Sequence, residues 1–239
     1  MVSSIAVSSG TKSSVGLGVM LLAAATLAAC SSNNAGGTGG VPAHLTVVTG
    51  AGLSGVVGTA VGPIVVRVTD ADSAPVAGAT VTFAVNGGAS LSASSIQTDA
   101  SGEALTSVTF SHVAEAVTVT ATASGLSDGI TFQETGLADA AVSMTLAGGN
   151  NQSAPRGSLL PDPMAVLVTD QFGNPVSGVT VGWGTNRGVL TSSSGRTNAT
   201  GGSQMQLTTP PGAAGAITVT ASATINGAVV MILFTENST

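Results

Sequence analysis

What this chain has least of narrows it first. It has no tyrosine, one tryptophan and five phenylalanines, so aromatics make up 3% of its 239 residues. A transmembrane β-barrel, which also alternates polar and apolar residues, needs aromatic girdles at both membrane interfaces and is excluded on that ground. Lysine and arginine together number five against eleven acids. Nucleic acid and anionic headgroups require clustered cations, so both are excluded as partners. Charged residues are 7% of the chain, too few to build the solvated faces of long amphipathic helices. A lone cysteine, Cys30, excludes an internal disulfide. What remains is Ala, Val, Thr, Ser and 33 Gly, the composition of strands joined by turns and hence of an all-β fold.

The first thirty residues stand apart. Lys12 gives a weakly basic start, Val15 to Ala29 is an apolar run of signal-peptide length, and small residues lead to Cys30. The run is short for a membrane span and reads as an export signal. Leu27, Ala28, Ala29 and Cys30 resemble the lipoprotein signal of bacteria. That resemblance implies removal of residues 1–29, lipid on Cys30 and the membrane as a partner through that lipid. It places the protein in the cell envelope, at the outer membrane or cell surface, the sorting that Ser31 permits. A start with one lysine and no arginine departs from the pattern. Residues 30–40, rich in Ser, Asn and Gly, are too polar to bury and read as a flexible tether.

From residue 41 the chain repeats itself. Residues 66–85, VRVTDADSAPVAGATVTFAV, return at 166–185 as VLVTDQFGNPVSGVTVGWGT. TDASGEA at 98–104 returns as TNATGGS at 197–203, and VTVTATAS at 117–124 as ITVTASAT at 217–224. Two domains follow, 41–136 and 137–239, each large enough to bury a core without a disulfide. Strands show by alternation. Ile64, Val66 and Val68 face the core, opposite Val65, Arg67 and Thr69; Ala79, Val81, Phe83 and Val85 do the same, as do Met164, Val166, Val168, Val179, Val181 and Trp183. Val117 and Val119 continue the scheme, and Phe132 and Phe234 close each copy. Short strands at such spacing predict a β-sandwich. Between the two strands of each opening stretch lies a turn. In the second copy Asp170 can accept from amides two or three residues on, Gly173 and Asn174 tolerate positive φ, Pro175 fixes re-entry, and Gly178 relieves crowding.

The pattern V-x-V-T-D-x-x-x-x-P-V-x-G-x-x-V-x-aromatic, followed by T-D/N-A-x-G and V-T-V-T-A, is similar to the bacterial immunoglobulin-like domains of the invasin and intimin type, the group 1 or Big domains. The resemblance spans both copies. It implies two tandem immunoglobulin-like β-sandwiches, acting as spacers and adhesive modules at the bacterial surface, with no catalytic residues to carry over. The chain departs from the large adhesins in lacking their membrane barrel and lectin-like module.

Three chemistries are weighed against this. Gly125-Leu126-Ser127-Asp128-Gly129 spells the nucleophile elbow G-x-S-x-G, but a strand-like ITF follows instead of a helix, and the histidines available as a base are His44, next to the tether, and His112, in a hairpin. Asp70-Ala71-Asp72 opens like a calcium loop, yet Pro75 and Val81 stand where Gly and Glu are required. A peripheral calcium held by Glu134, Asp139 and a turn aspartate is the remaining metal option. No catalytic, metal or cofactor site is assigned.

Charge distributes unevenly. Residues 41–136 hold seven acids against Arg67 alone; residues 137–239 hold four against Arg156, Arg187 and Arg196. Those three arginines sit in Gly, Ser and Asn-rich stretches, where binding residues concentrate on a rigid sandwich. They are the candidate contacts for an acidic protein or glycan partner on the face distal to the membrane. A carbohydrate-binding or enzyme-accessory module is the alternative, and Phe172, the one aromatic in a turn, is its candidate platform.

Overall fold

The computed structural model describes residues 40–239; Cys30, the export signal and nearly all of the tether lie outside the described residues. The first copy runs β1 (His44–Thr49), β2 (Ser54–Val56), β3 (Ala60–Thr69), β4 (Thr80–Val85), β5 (Ser90–Leu91), β6 (Ser95–Gln97), β7 (Glu103–Thr109), β8 (Ala116–Ala123) and β9 (Ile130–Leu137). The second runs β10 (Ser143–Gly148), β11 (Ser153–Ala154), β12 (Met164–Thr169), β13 (Thr180–Thr185), β14 (Val189–Leu190), β15 (Ser194–Arg196), β16 (Gly202–Met205), β17 (Leu207–Thr208), β18 (Gly215–Ile225) and β19 (Ala228–Ser238). No helix occurs among the described residues.

Each copy is a sandwich of two sheets. In the first, β1-β3-β7-β5 faces β2-β9-β8-β4-β6. The second repeats the order as β10-β12-β16 against β11-β19-β18-β13-β15, with β14-β17 as a separate pair. Valines, alanines and two large aromatics from the five-stranded sheet of each copy fill the space between. Val66, Val68, Val81, Phe83, Val119 and Phe132 form one core; Val166, Val168, Val181, Trp183, Val219 and Phe234 form the other. The alternation read from the sequence holds with one exception: Val65 is buried as well as its neighbours Ile64 and Val66. It lies where the register shifts in both flanking ladders, so strict in-and-out alternation is lost. In the second copy Trp183 packs on Phe234 with ring centroids 5.7 Å apart, and its indole N–H reaches Ser203 Oγ at 3.4 Å.

The opening strand of each copy changes sheets, and a buried glutamate sits under the crossing. A bulge interrupts β1 between Val47 and Thr49, and β10 between Leu146 and Gly148. Gly50 and Gly149 follow with positive φ, so close to the next strand that a Cβ would lie 2.5 Å from Ile64 Cα or 2.2 Å from Pro163 O. The chain then joins the other sheet as β2 or β11, parallel to β9 or β19. Glu134 and Glu236, two residues after Phe132 and Phe234, point under this crossing and are only 1% exposed. Glu236 Oε2 accepts from Gln152 N at 2.6 Å, while its Oε1 has no partner. Against Glu134 lie the amides of Gly52 and Leu53, though neither oxygen completes a regular hydrogen bond. Burial raises both carboxyls above the ordinary glutamate range, and the amides pull the other way without cancelling it.

Two expectations follow. The chain should melt in two transitions, with Trp183→Ala lowering only that of the second copy by about 3–5 kcal/mol, the cost of truncating a buried aromatic; urea unfolding followed by circular dichroism checks it. A carboxyl raised in the folded state contributes stability that is complete below the ordinary glutamate range and is lost as pH rises through the folded value. Glu134→Gln and Glu236→Gln should therefore each flatten the fall in melting temperature of their own sandwich between mild acid and neutral pH.

Candidate functional site

The repeated turn is the place to begin, because its two copies share a frame and differ in what they carry. In the first, Asp70 Oδ1 accepts from Asp72 N at 3.0 Å and Ala74 N at 2.9 Å; in the second, Asp170 Oδ1 accepts from Phe172 N and Asn174 N, both at 2.8 Å. The amides are thus two and four residues on, not two or three as the sequence suggested. Positive φ falls on Ser73 and Gly173 alone in these turns, not on Asn174. Gly178 relieves no crowding, since a Cβ there would meet nothing within 4 Å; its φ of 79° is the reason for glycine. Crowding belongs to Gly102 and Gly201 of the second motif, where a Cβ would lie 2.5 Å from Val68 O and Val168 O.

In the second copy the turn is a joint. Asn174 Nδ2 donates to His112 O at 2.8 Å, and Asn174 Oδ1 accepts from Ala114 N at 2.9 Å. Phe172 stacks on His112, with centroids 4.2 Å apart and planes 18° from parallel. Asp170 Oδ2 accepts from Asp139 N at 3.0 Å and from Asn174 Nδ2 at 2.8 Å, and Gln171 Nε2 donates to Asp139 Oδ2 at 2.9 Å. Both sandwiches belong to one compact unit. Burial would raise Asp170, which is 3% exposed, but its four N–H donors outweigh that and hold it below the ordinary carboxylate range. A carboxylate so saturated by donors offers no lone pair to a cation, and Glu134 lies under the crossing of its own sandwich, so the calcium option at the joint is not assembled. No cluster of metal-ligating side chains occurs among the described residues.

Phe172 is therefore a joint residue. It remains 42% exposed, but one ring face is given to His112, where a sugar-stacking platform needs an open face. The arginines separate into two and one. Arg156 Nη1 donates to Gly212 O at 3.4 Å, and Arg187 Nη2 to Ala213 O, so these two grip one loop at the end far from the joint. Arg196 lies opposite Thr180 in the β13–β15 pair and donates from Nη1 to Gly178 O at 2.7 Å. β15 runs antiparallel to β13 and returns the chain to the joint end, so a six-residue strand of about 17–20 Å separates Arg196 from Arg187. A single distal face of three arginines is thus corrected to a distal pair, Arg156 and Arg187.

The G-x-S-x-G stretch lines a cleft of about 340 Å³ with His44, Leu45 and Ile130. Ser127 Oγ bonds its neighbour Asp128 Oδ1 at 3.4 Å, and no hydrogen bond joins Ser127 to His44. The strand β9 follows the motif, as ITF suggested.

Sequence reasoning missed Glu236 and took Glu134 only as a calcium ligand, although F-x-E at the end of both copies was legible as part of the repeat. It also missed the joint. The signal there was contrast within the repeat: DADSAP and DQFGNP share their ends, and every residue between them differs.

Two antiparallel sandwiches in tandem, linked by a hydrogen-bonded turn, define an immunoglobulin-like module array. The family model for the bacterial Ig-like domain (group 1) matches residues 57–135 and 162–235, and the chain belongs to that family. Among solved structures it is similar to the D0–D1 domain of intimin, at 20% identity over 82% of this chain and 98% of that one, with a TM-score of 0.33. It is similar also to invasin, described as a bacterial integrin-binding protein, at 22% identity over 80% of this chain but 39% of that one, TM-score 0.37. The Escherichia coli adhesin FdeC matches at 17% over 81% of this chain and 63% of that one, TM-score 0.45. No curated protein matches the sequence.

The joint yields its own expectation. Asn174→Ala removes both cross-copy hydrogen bonds and leaves His112 O and Ala114 N unpartnered, a cost of about 1–3 kcal/mol in coupling between the copies. Small-angle scattering of the variant should show a broader distribution of end-to-end distances than the parent, with both melting transitions retained.

Proposed function

We propose that this protein is a non-enzymatic, lipid-anchored spacer and interaction module of the bacterial cell envelope. The observation that carries the reading is the joint. A spacer must hold its far loops at a fixed distance and direction, and the Asn174 hydrogen bonds join residues 41–136 to 137–239 while Asp170 pins the linker at Asp139, where a free linker would not be held. Anchoring rests on Cys30 and the small residues before it. Membership of the group 1 bacterial Ig-like family supports the setting.

The partner contact we assign to the far end. Arg156 and Arg187 each spend part of a guanidinium on the 210–214 loop, and a guanidinium carries five N–H donors, so both retain donors for an acidic protein or glycan. The first copy, with seven acids against Arg67, repels such a partner and leaves the second copy as the docking end. The carbohydrate-accessory alternative rested on Phe172, whose stacking on His112 ties it to the joint.

Metabolic palmitate labelling should mark the full chain and be lost in Cys30→Ala; unchanged labelling would remove the anchor. The full chain should be retained on a sulfated-glycan column, with elution at lower salt after Arg156→Ala and Arg187→Ala together and no shift after Arg196→Ala. Equal retention of all three proteins would remove the arginines from the account while leaving the anchor standing.

A further inference from the structure

The strand β19 exposes a longer outer edge than its counterpart β9, which β2 meets from Thr135 on. It pairs with β18 along its whole length, from Gly215↔Ser238 to Ile225↔Ala228, through a two-residue turn at Asn226 and Gly227, both with positive φ. On its other side only the end is covered: β11 pairs with Asn237 and Ser238, Thr235 N donates to Asn150 Oδ1 at 2.9 Å, and Asn151 N donates to Thr235 O at 3.1 Å. Thr235 and Asn237 thus turn their backbone groups away from β18. By the two-residue alternation of an antiparallel ladder, Val229, Met231 and Leu233 do the same, and no strand meets them among the described residues.

Those three residues also carry the large apolar side chains of the outer face, at 66%, 64% and 61% exposure. Their cross-strand neighbours Thr224, Ser222 and Thr220 are small and polar, so the stripe stands proud. No charged residue and no proline lies between Asn226 and Thr235, although charge and proline are the usual means of blunting an edge. In the first copy the positions matching Val229, Met231 and Leu233, counted from Phe132 and Phe234, are Ser127, Gly129 and Thr131, and only Thr131 lies within β9. The apolar edge is therefore a property of the second copy, not of the fold.

We propose that this edge pairs with the same edge of a second copy of this chain, antiparallel, about a twofold axis at Met231. The symmetry fits: Met231 faces Met231, and Val229 faces Leu233 on both sides, so every outward N–H and C=O meets its complement and the two apolar stripes join on one face. Charge selects the place. Two acidic molecules repel through their first copies, whereas the second copies are nearly balanced and this strand is uncharged. Three side chains from each molecule fall short of the roughly 1,200 Å² that a stable complex buries, so the pairing is weak and rises with concentration.

Cysteine crosslinking of the full chain in bacterial cells tests it. In an antiparallel hydrogen-bonded pair the Cα atoms lie about 5.5 Å apart, within disulfide range. Under mild oxidant Met231→Cys should give a covalent dimer well above the background of the parent chain. Thr131→Cys should stay at that background, and so should Met231→Cys carrying Leu233→Lys, whose solvent-facing site leaves the melting transitions in place. Val229→Cys should crosslink when co-expressed with Leu233→Cys but not alone, which fixes the register. Dimer from Met231→Cys no greater than from Thr131→Cys overturns the proposal. So does capture of a different protein by Met231→Cys, or a dimer that Leu233→Lys leaves unchanged.

Discussion

The carboxylate of Asp170 is the point through which the two sandwiches become one object. It is buried, and it accepts from Phe172 N and Asn174 N within its turn, from the Asn174 amide, and from Asp139 N where the second copy begins. An ionised group out of water is costly unless its lone pairs are filled, and here they are filled by the groups that need positioning. The turn closes, Asn174 is oriented toward the first copy, and the linker is pinned, all by one side chain. Because those donors hold Asp170 below the ordinary carboxylate range, its contribution is present above that range and is lost only as pH falls through the depressed value. The buried glutamates run the other way. Mild acid therefore favours the sandwich interiors before it weakens the joint.

The same frame serves a different end in the first copy. Asp70 closes its turn with the same two amides, but Ala71, Asp72, Ser73 and Ala74 stand where Gln171, Phe172, Gly173 and Asn174 make the joint. A mirrored economy appears on the receiving loops. His112 O, which Asn174 takes, corresponds at the repeat offset to Gly212 O, and there Arg156 donates instead. The far end of the second copy is thus closed by its own arginines at the acceptor that, one domain earlier, holds the next sandwich.

Much of the fold was legible before any coordinates. Alternation at Val66, Val68, Val81 and Phe83 follows from the period of a strand, and the near-identity of two stretches one hundred residues apart announces a repeat without reference to packing. What could not be read was anything set by register across the sandwich. Arg196 and Arg187 look alike in sequence, each in a polar stretch after a strand, and only the antiparallel return of β15 sends them to opposite ends. Phe172 looked like a free aromatic because its partner, His112, lies sixty residues earlier in the other copy. The burial of the glutamates was hidden for a different reason: a charged residue in a strand reads as solvent-facing, and its burial depends on the crossing of β2 or β11 above it.

These cases share a cause, and it bears on where copy-specific function resides. Positions that hold the sandwich together are under the same steric demand in both copies: Gly102 and Gly201 each have a carbonyl 2.5 Å from where a Cβ would be, so neither can vary. Positions facing outward carry no such demand, and there the copies diverge, at the turn residues of the joint, at the receiving loop, and on the outer strand, where Ser127, Gly129 and Thr131 give way to Val229, Met231 and Leu233. In a tandem repeat the comparison that finds a binding surface is thus internal. A residue that differs between copies, while its structural neighbours do not, has been released from the fold and is free to be shaped by contact with something else.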